Sequence, residues 1–253
     1  MFAFWAWLSR ALGSGTLARM LPVAVTVVVL LVIALRFVER VNRGYRINLV
    51  FLGVGLVCAI FSLALPDPHV PIKRIHVAEY IVLSFLVRAT LSHRLQGMQL
   101  TLFTVLATLL LGIHDEMLQG LHSQRYYGWL DIIVNGTAGL SGALLGHGLH
   151  CCARRTVGTA QPKVRGLAGL VVLFLLLGAS TVWLVIMLYQ QRGTALSLFI
   201  LLPQVVSCLL LMVLRPEIVF SSRTQHGFQA VYWLAFSLLA YPLAARLAGM
   251  EFI

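Results

Sequence analysis

GIHDEMLQGLHSQRYYGWLDIIVNGTAGLSGALLG (Gly112–Gly146) opens where one apolar run ends and closes inside another. Between those runs it collects His114, Asp115, Glu116, Gln119, His122, Gln124, Arg125 and Asp131, and three of the chain's eight acidic residues fall within it. Asn135 follows one helical turn after Asp131. A carboxylate at the centre of a membrane helix costs about 2.5–3.5 kcal/mol on insertion scales. Such groups are kept in apolar sequence either to pair with one another or to meet a ligand.

The rest of the chain supplies the apolar setting. Of 253 residues 60% are hydrophobic and 11% charged, with a mean hydropathy of +0.92. A soluble domain carries about twice that charge. Several runs reach the roughly 20 apolar residues that a bilayer requires. The sequence therefore reads as all-α, a polytopic transmembrane helical bundle of about eight spans. Those spans are about Leu21–Leu35, Ile47–Leu65, Ile75–Leu91, Gly97–Ile113, Leu130–Leu149, Leu167–Tyr189, Thr194–Leu214 and Phe228–Leu247.

The formal charge of +11 does not indicate nucleic acid, because Lys and Arg sit in short connections between apolar runs rather than along a basic groove. With alternating spans, 12 of the 19 Lys and Arg fall on one side. That side is expected to be cytoplasmic, which places both termini and the His114–Asp131 cluster at the outer face. The aromatic start, with Phe2, Trp5 and Trp7, suits the headgroup level and lacks the pattern of a cleaved signal. Cys58 and Cys208 lie in apolar runs. Cys151 and Cys152 follow His147 and His150, but H-x-x-H-C-C lacks the second ligand pair of a zinc module. No metal or other cofactor is expected.

Three divisions follow: 1–46 as interfacial segment and first span, 47–149 as the part bearing ionisable residues, and 150–253 as basic linker plus three C-terminal spans. From Leu167 to Leu214 the only charge is Arg192, and Pro203 and Pro242 are expected to kink their helices. These bland spans offer a face to a membrane protein partner.

Spacing groups the polar residues. Lys73, His76, Tyr80 and Ser84 recur at steps of three and four on one helical face, with Glu79 at i+3 from His76. His76 and Glu79 read as deep in the third span, and Arg88 as snorkelling to the cytoplasmic surface. Asp115 and Glu116 both reach Gln119 if that stretch is helical. Arg125, among aromatics, suits a phosphate, a carboxylate or a sugar-bearing headgroup. Asp131, Asn135, Gly139, Gly142 and Gly146 form one stripe whose glycines allow close helix packing. Each polar set has a structural alternative, in helix capping or buried pairing.

The pattern D-E-x-x-Q, then Arg, then D-x-x-x-N-x-x-x-G-x-x-G resembles the VanZ-like family of bacterial membrane proteins. Asp115, Glu116, Gln119, Arg125, Asp131, Asn135, Gly139 and Gly142 carry it, and the upstream K-x-x-H-x-x-x-Y (Lys73, His76, Tyr80) matches the family's other signature. Gln124 stands where relatives often have Pro, and the last three spans fall outside the resemblance. It implies a VanZ-like core of four helices and the bacterial cytoplasmic membrane. It also implies a cell-envelope role named for resistance to the glycopeptide teicoplanin, without a defined reaction. The first expectation is a protein that binds membrane lipids and a lipid-linked glycan, polysaccharide or cell-wall precursor. Alternatives are a membrane enzyme using His76, Asp115 or Glu116 as acid or base, and a small-molecule transporter.

Overall fold

The computed structural model describes residues 15–67, 70–122, 125, 127–152, 167–194, 196–213 and 222–252. The interfacial reading of residues 1–14, most of the basic linker and Gln124 lie outside them. Every regular element among the described residues is helical. In order these are α1 (Gly15–Asn42), α2 (Leu49–Ala64), a 3-10 turn (Pro71–Arg74), α3 (Ile75–Leu91), α4 (Gly97–Gly120) and α5 (Trp129–Gly148). Then come α6 (Leu167–Gln190), a second 3-10 turn (Leu198–Leu201), α7 (Leu202–Val213), α8 (Ser222–Ser237) and α9 (Ala240–Leu247).

Among the described residues three stretches are long and apolar enough to cross a membrane: Met20–Asn42, Gly97–Gly120 and Gln225–Leu247. Large apolar side chains face outward while polar ones are buried. Val50, Phe199 and Leu247 are exposed by 72%, 83% and 87%, while Thr104, Thr108, Ser141 and Gln204 are wholly buried.

The helix ends depart from the sequence reading at several points. The first helix does not stop before Arg36. It runs on to Asn42, because Arg36, Glu39 and Arg43 pair on one face at 2.8 Å each and keep the turns helical. Gly44, at φ +70°, then takes the left-handed conformation that ends it. The fourth helix continues past Ile113 through the whole acidic set to Gly120. The expected kink at Pro242 falls where the last apolar stretch breaks into α8 and α9, at Leu238–Leu239 one turn before it. Pro203 sits in the first turn of α7, where its missing N–H is harmless, and Pro242 lies in the first turn of α9.

The chain groups by packing into two compact units rather than by sequence order. The first comprises Met1–Ala89 with Ile133–Cys152, and the second Thr90–Ile132 with Ala153–Ile253. The grouping runs through the stretch 47–149.

In the first unit the glycine stripe of α5 receives α3. A Cβ on Gly142 would lie 2.7 Å from the Ile81 carbonyl oxygen and 2.8 Å from the Ser84 Cβ, and one on Gly146 would lie 2.8 Å from the Arg88 Cδ. Two hydroxyls tie α5 to α2: Ser141 Oγ donates to the Gly55 carbonyl at 2.7 Å, and Ser62 Oγ to Thr137 Oγ1 at 2.7 Å. Asn48 caps α2, its side-chain oxygen accepting from Val50 N at 3.2 Å. Its own N–H donates to the Gly148 carbonyl at 3.0 Å. Arg40 donates to the His150 carbonyl at 3.2 Å and Arg88 Nε to the Cys151 carbonyl at 3.0 Å. The C-terminal ends of α1, α3 and α5 thus share one basic end. Arg88 does not snorkel: it is 2% exposed, because the carbonyls that end α5 supply its partner. Arg74 similarly donates to the Leu63 carbonyl at 3.1 Å and caps α2.

In the second unit α4 packs along α8. A Cβ on Gly227 would lie 2.7 Å from Leu95 and Phe103 side-chain atoms, and farther along one on Gly120 would touch the Phe252 ring at 2.5 Å. The supposedly bland spans hold a satisfied polar junction. The fully buried Gln204 donates to the Ala235 carbonyl at 3.0 Å and accepts from Ser180 Oγ at 2.7 Å and Thr181 Oγ1 at 3.3 Å. One buried amide thereby joins α6, α7 and α8.

Candidate functional site

The residues singled out in the sequence divide between the units. Asp115, Glu116, Gln119, Arg125 and Asp131 belong to the second, and Lys73, His76, Tyr80 and Asn135 to the first.

In the second unit the last turns of α4 converge the acidic set. Gln119 Nε2 donates to Asp115 Oδ2 at 3.1 Å and to Glu116 Oε1 at 3.3 Å. One amide therefore bridges two carboxylates that would otherwise repel. Glu116 is wholly buried, Asp115 and Gln119 half-buried. The second oxygen of Glu116 accepts from the Gly128 N–H at 3.4 Å, which folds the connection after α4 back over the helix end. A Cβ on Gly128 would lie 2.7 Å from Asp131 Oδ2, so this glycine lets Asp131, in the first turn of α5, approach the same backbone. Next in the chain is Trp129, 49% exposed. Arg125 is half-buried in the same connection, its N–H donating to the His122 carbonyl at 2.9 Å.

The connection is pinned from behind. The buried Tyr127 donates its hydroxyl to the Val185 carbonyl at 3.3 Å and meets the Phe252 ring edge-on at 5.1 Å. Burial and then the nearby Glu116 charge push its phenol well above the usual tyrosine range. Arg192 at the end of α6 stacks on Tyr189 at 4.0 Å and donates to the Tyr127 carbonyl at 3.0 Å.

His114 serves architecture. Its Nε2 faces the Leu234 carbonyl at 2.9 Å and so carries the proton, leaving Nδ1 to accept from the Tyr241 hydroxyl at 3.0 Å. It therefore joins α4 to α8 and α9.

In the first unit Lys73 lies in the 3-10 turn before α3, so the helical face begins at His76. His76 Nδ1 is 3.0 Å from Glu79 Oε2, with side-chain exposures of 15% and 40%. Both sit in the first turns of α3, which starts at Ile75 as the sequence reading has it. Their pairing is within one helix. Tyr80 is buried, its ring 6.4 Å from that of His76.

Asn135 is wholly buried, and neither its Oδ1 nor its Nδ2 has a hydrogen-bond partner among the described residues. An unsatisfied buried amide costs about 1–3 kcal/mol. Asn135→Leu, of similar volume, is therefore expected to raise the stability of the detergent-solubilised protein by about that amount. A lower melting temperature would mean that the amide has a partner in the folded protein.

Among the described residues no group of three or more His, Cys, Asp or Glu is arranged to hold a metal. All four cysteines are free. No family model, curated protein or solved structure matches the chain. The class defined here is an all-helical protein with membrane-length apolar helices and an amide-bridged carboxylate pair. The resemblance to the VanZ-like family stands on the motif residues alone.

Proposed function

We propose that the chain is a multi-pass, VanZ-like protein of the bacterial cytoplasmic membrane, with about eight spans. On this reading it binds the polar head of a lipid-linked glycan or cell-wall precursor at the outer face, and so alters how surface glycans are built or how glycopeptides reach them. The reading is carried by the Asp115–Gln119–Glu116 arrangement. The half-buried Asp115 carboxylate, positioned by the amide it shares with the buried Glu116, presents hydroxyl acceptors at the end of an apolar helix.

Sugar hydroxyls seek such acceptors, and the half-exposed ring of Trp129 offers a flat apolar face for a pyranose. Arg125 supplies a fork-shaped cation for the linking phosphate. The hydrocarbon tail would remain in the bilayer beside α4. The charge asymmetry of the connections supports an outward cluster.

The test uses the purified chain and a polyprenyl-diphosphate-linked disaccharide, with polyprenyl phosphate alone as control. Wild-type protein is expected to retain the disaccharide-bearing probe. Asp115→Asn and Gln119→Ala should each weaken retention about tenfold, the value of one hydrogen bond to a charged group. Equal retention of both probes, or unaltered retention by both variants, would remove the glycan reading.

A further inference from the structure

The first unit contains a cavity of about 730 Å³ that takes no part in the carboxylate site. Its walls come from α1, α3 and the turn after α5. At one end Val28, Val32, Val82 and Leu86 make it apolar, and at the other Arg36, Arg40 and Arg43 stand around a single carboxylate, Glu39. Three guanidinium groups against one carboxylate leave positive charge in excess.

We infer that this cavity is a binding site for an anionic phospholipid, one acyl chain lying along α1 against α3 and the phosphate held by the arginines. Three independent features support that occupant. The first is length: Val28 to Arg40 spans about 18 Å along the helix, close to one leaflet of a roughly 30 Å hydrocarbon core. The second is the change of wall chemistry along that length, from β-branched and leucine side chains to arginine, matching a chain followed by a head. The third is the state of the cations. Arg43 and Arg36 both share Glu39 at 2.8 Å, and their side chains are 66% and 67% exposed. They are positioned yet able to donate further. Arg40 is anchored to the His150 carbonyl at 3.2 Å and lies over the Tyr45 ring at 5.0 Å, which fixes the deepest cation of the three. Basic pockets among membrane helices select anionic headgroups in this manner. A neutral lipid would fill the apolar length but leave the excess charge unmet.

The test uses the full chain in dodecyl maltoside, with thermal unfolding followed during titration. The additions are dioleoylphosphatidylglycerol, dioleoylphosphatidylcholine, or inorganic phosphate. Phosphatidylglycerol is expected to raise the melting temperature saturably, phosphatidylcholine to act at least tenfold more weakly, and phosphate to do nothing. Arg43→Gln, on an exposed side chain, should weaken the phosphatidylglycerol effect about fivefold, the contribution of one basic residue at an anionic membrane surface. Val32→Trp, which fills the apolar length without changing charge, should abolish it. Glu116→Gln should leave it intact, separating this site from the carboxylate one. Equal stabilisation by the two lipids overturns the proposal and needs no variant. So does an effect of phosphate equal to that of phosphatidylglycerol, or wild-type behaviour in both cavity variants.

Discussion

Phe252→Ala is expected to destabilise the protein by about 3–5 kcal/mol, the usual cost of emptying a buried aromatic site. Phe252 is wholly buried although it lies beyond the last helix. Its ring fills the space that Gly120 leaves by having no side chain, and it meets Tyr127 edge-on. Truncation removes those contacts while keeping the Gly193 N–H to Phe252 carbonyl bond at 2.8 Å, so the tail still docks but the hole remains. For a chain of this size the melting temperature should fall by on the order of 10 °C. Leu247→Ala, at an 87% exposed position, is the matched control and should change little. A Phe252→Ala protein that melts with the wild type would show that the ring is not part of the core.

The second large effect is functional. Glu116→Gln should abolish retention of the lipid-linked disaccharide while the protein still accumulates in the membrane. Glutamine keeps the volume and offers one oxygen to the Gly128 N–H, while Gln119 keeps its bond to Asp115 and loses only the one to residue 116. What disappears is the charge, and hydrogen bonds to a charged group contribute about 1.5–3 kcal/mol. That corresponds to a loss of binding of about tenfold to more than a hundredfold. If the folded yield falls in step with binding, Glu116 is holding helices together and the site reading fails. Wild-type binding by Glu116→Gln would sink it equally.

Much of this architecture was legible from periodicity. The glycine stripe of α5 predicts a close helix contact, and Gly142 and Gly146 do meet α3. The convergence of Asp115, Glu116 and Gln119 follows from helical spacing alone. Other features depend on which groups the fold brings from a distance. His114 reads as a member of the polar cluster until Tyr241 and Leu234 supply its partners from more than a hundred residues away. Arg88 reads as a snorkelling cation because no sequence pattern announces that the Cys151 carbonyl will be beside it. Gln204 is invisible for the same reason. One amide in an apolar run carries no signal until Ser180, Thr181 and Ala235 surround it. The cavity beside α1 escapes notice because the arginines read as a turn, and only their helical continuation aligns them with the valines beneath.

The interleaving of the two units also bears on biogenesis. Chains are made from the N-terminus onward, so α1, α2 and α3 are synthesised before α5 exists. Until residues 133–152 follow, Ser62 lacks Thr137, Arg88 lacks the Cys151 carbonyl, and α3 lacks its glycine face. Meanwhile α4 has arrived and must wait longer still, for α8 and finally for Phe252 to cover Gly120. Neither unit can therefore be completed one helix at a time in the order of synthesis. Early helices must wait without their native neighbours, and half-finished chains expose the small-residue faces that other helices would also fit. A protein wired in this way is most vulnerable to mispairing while it is still attached to the ribosome.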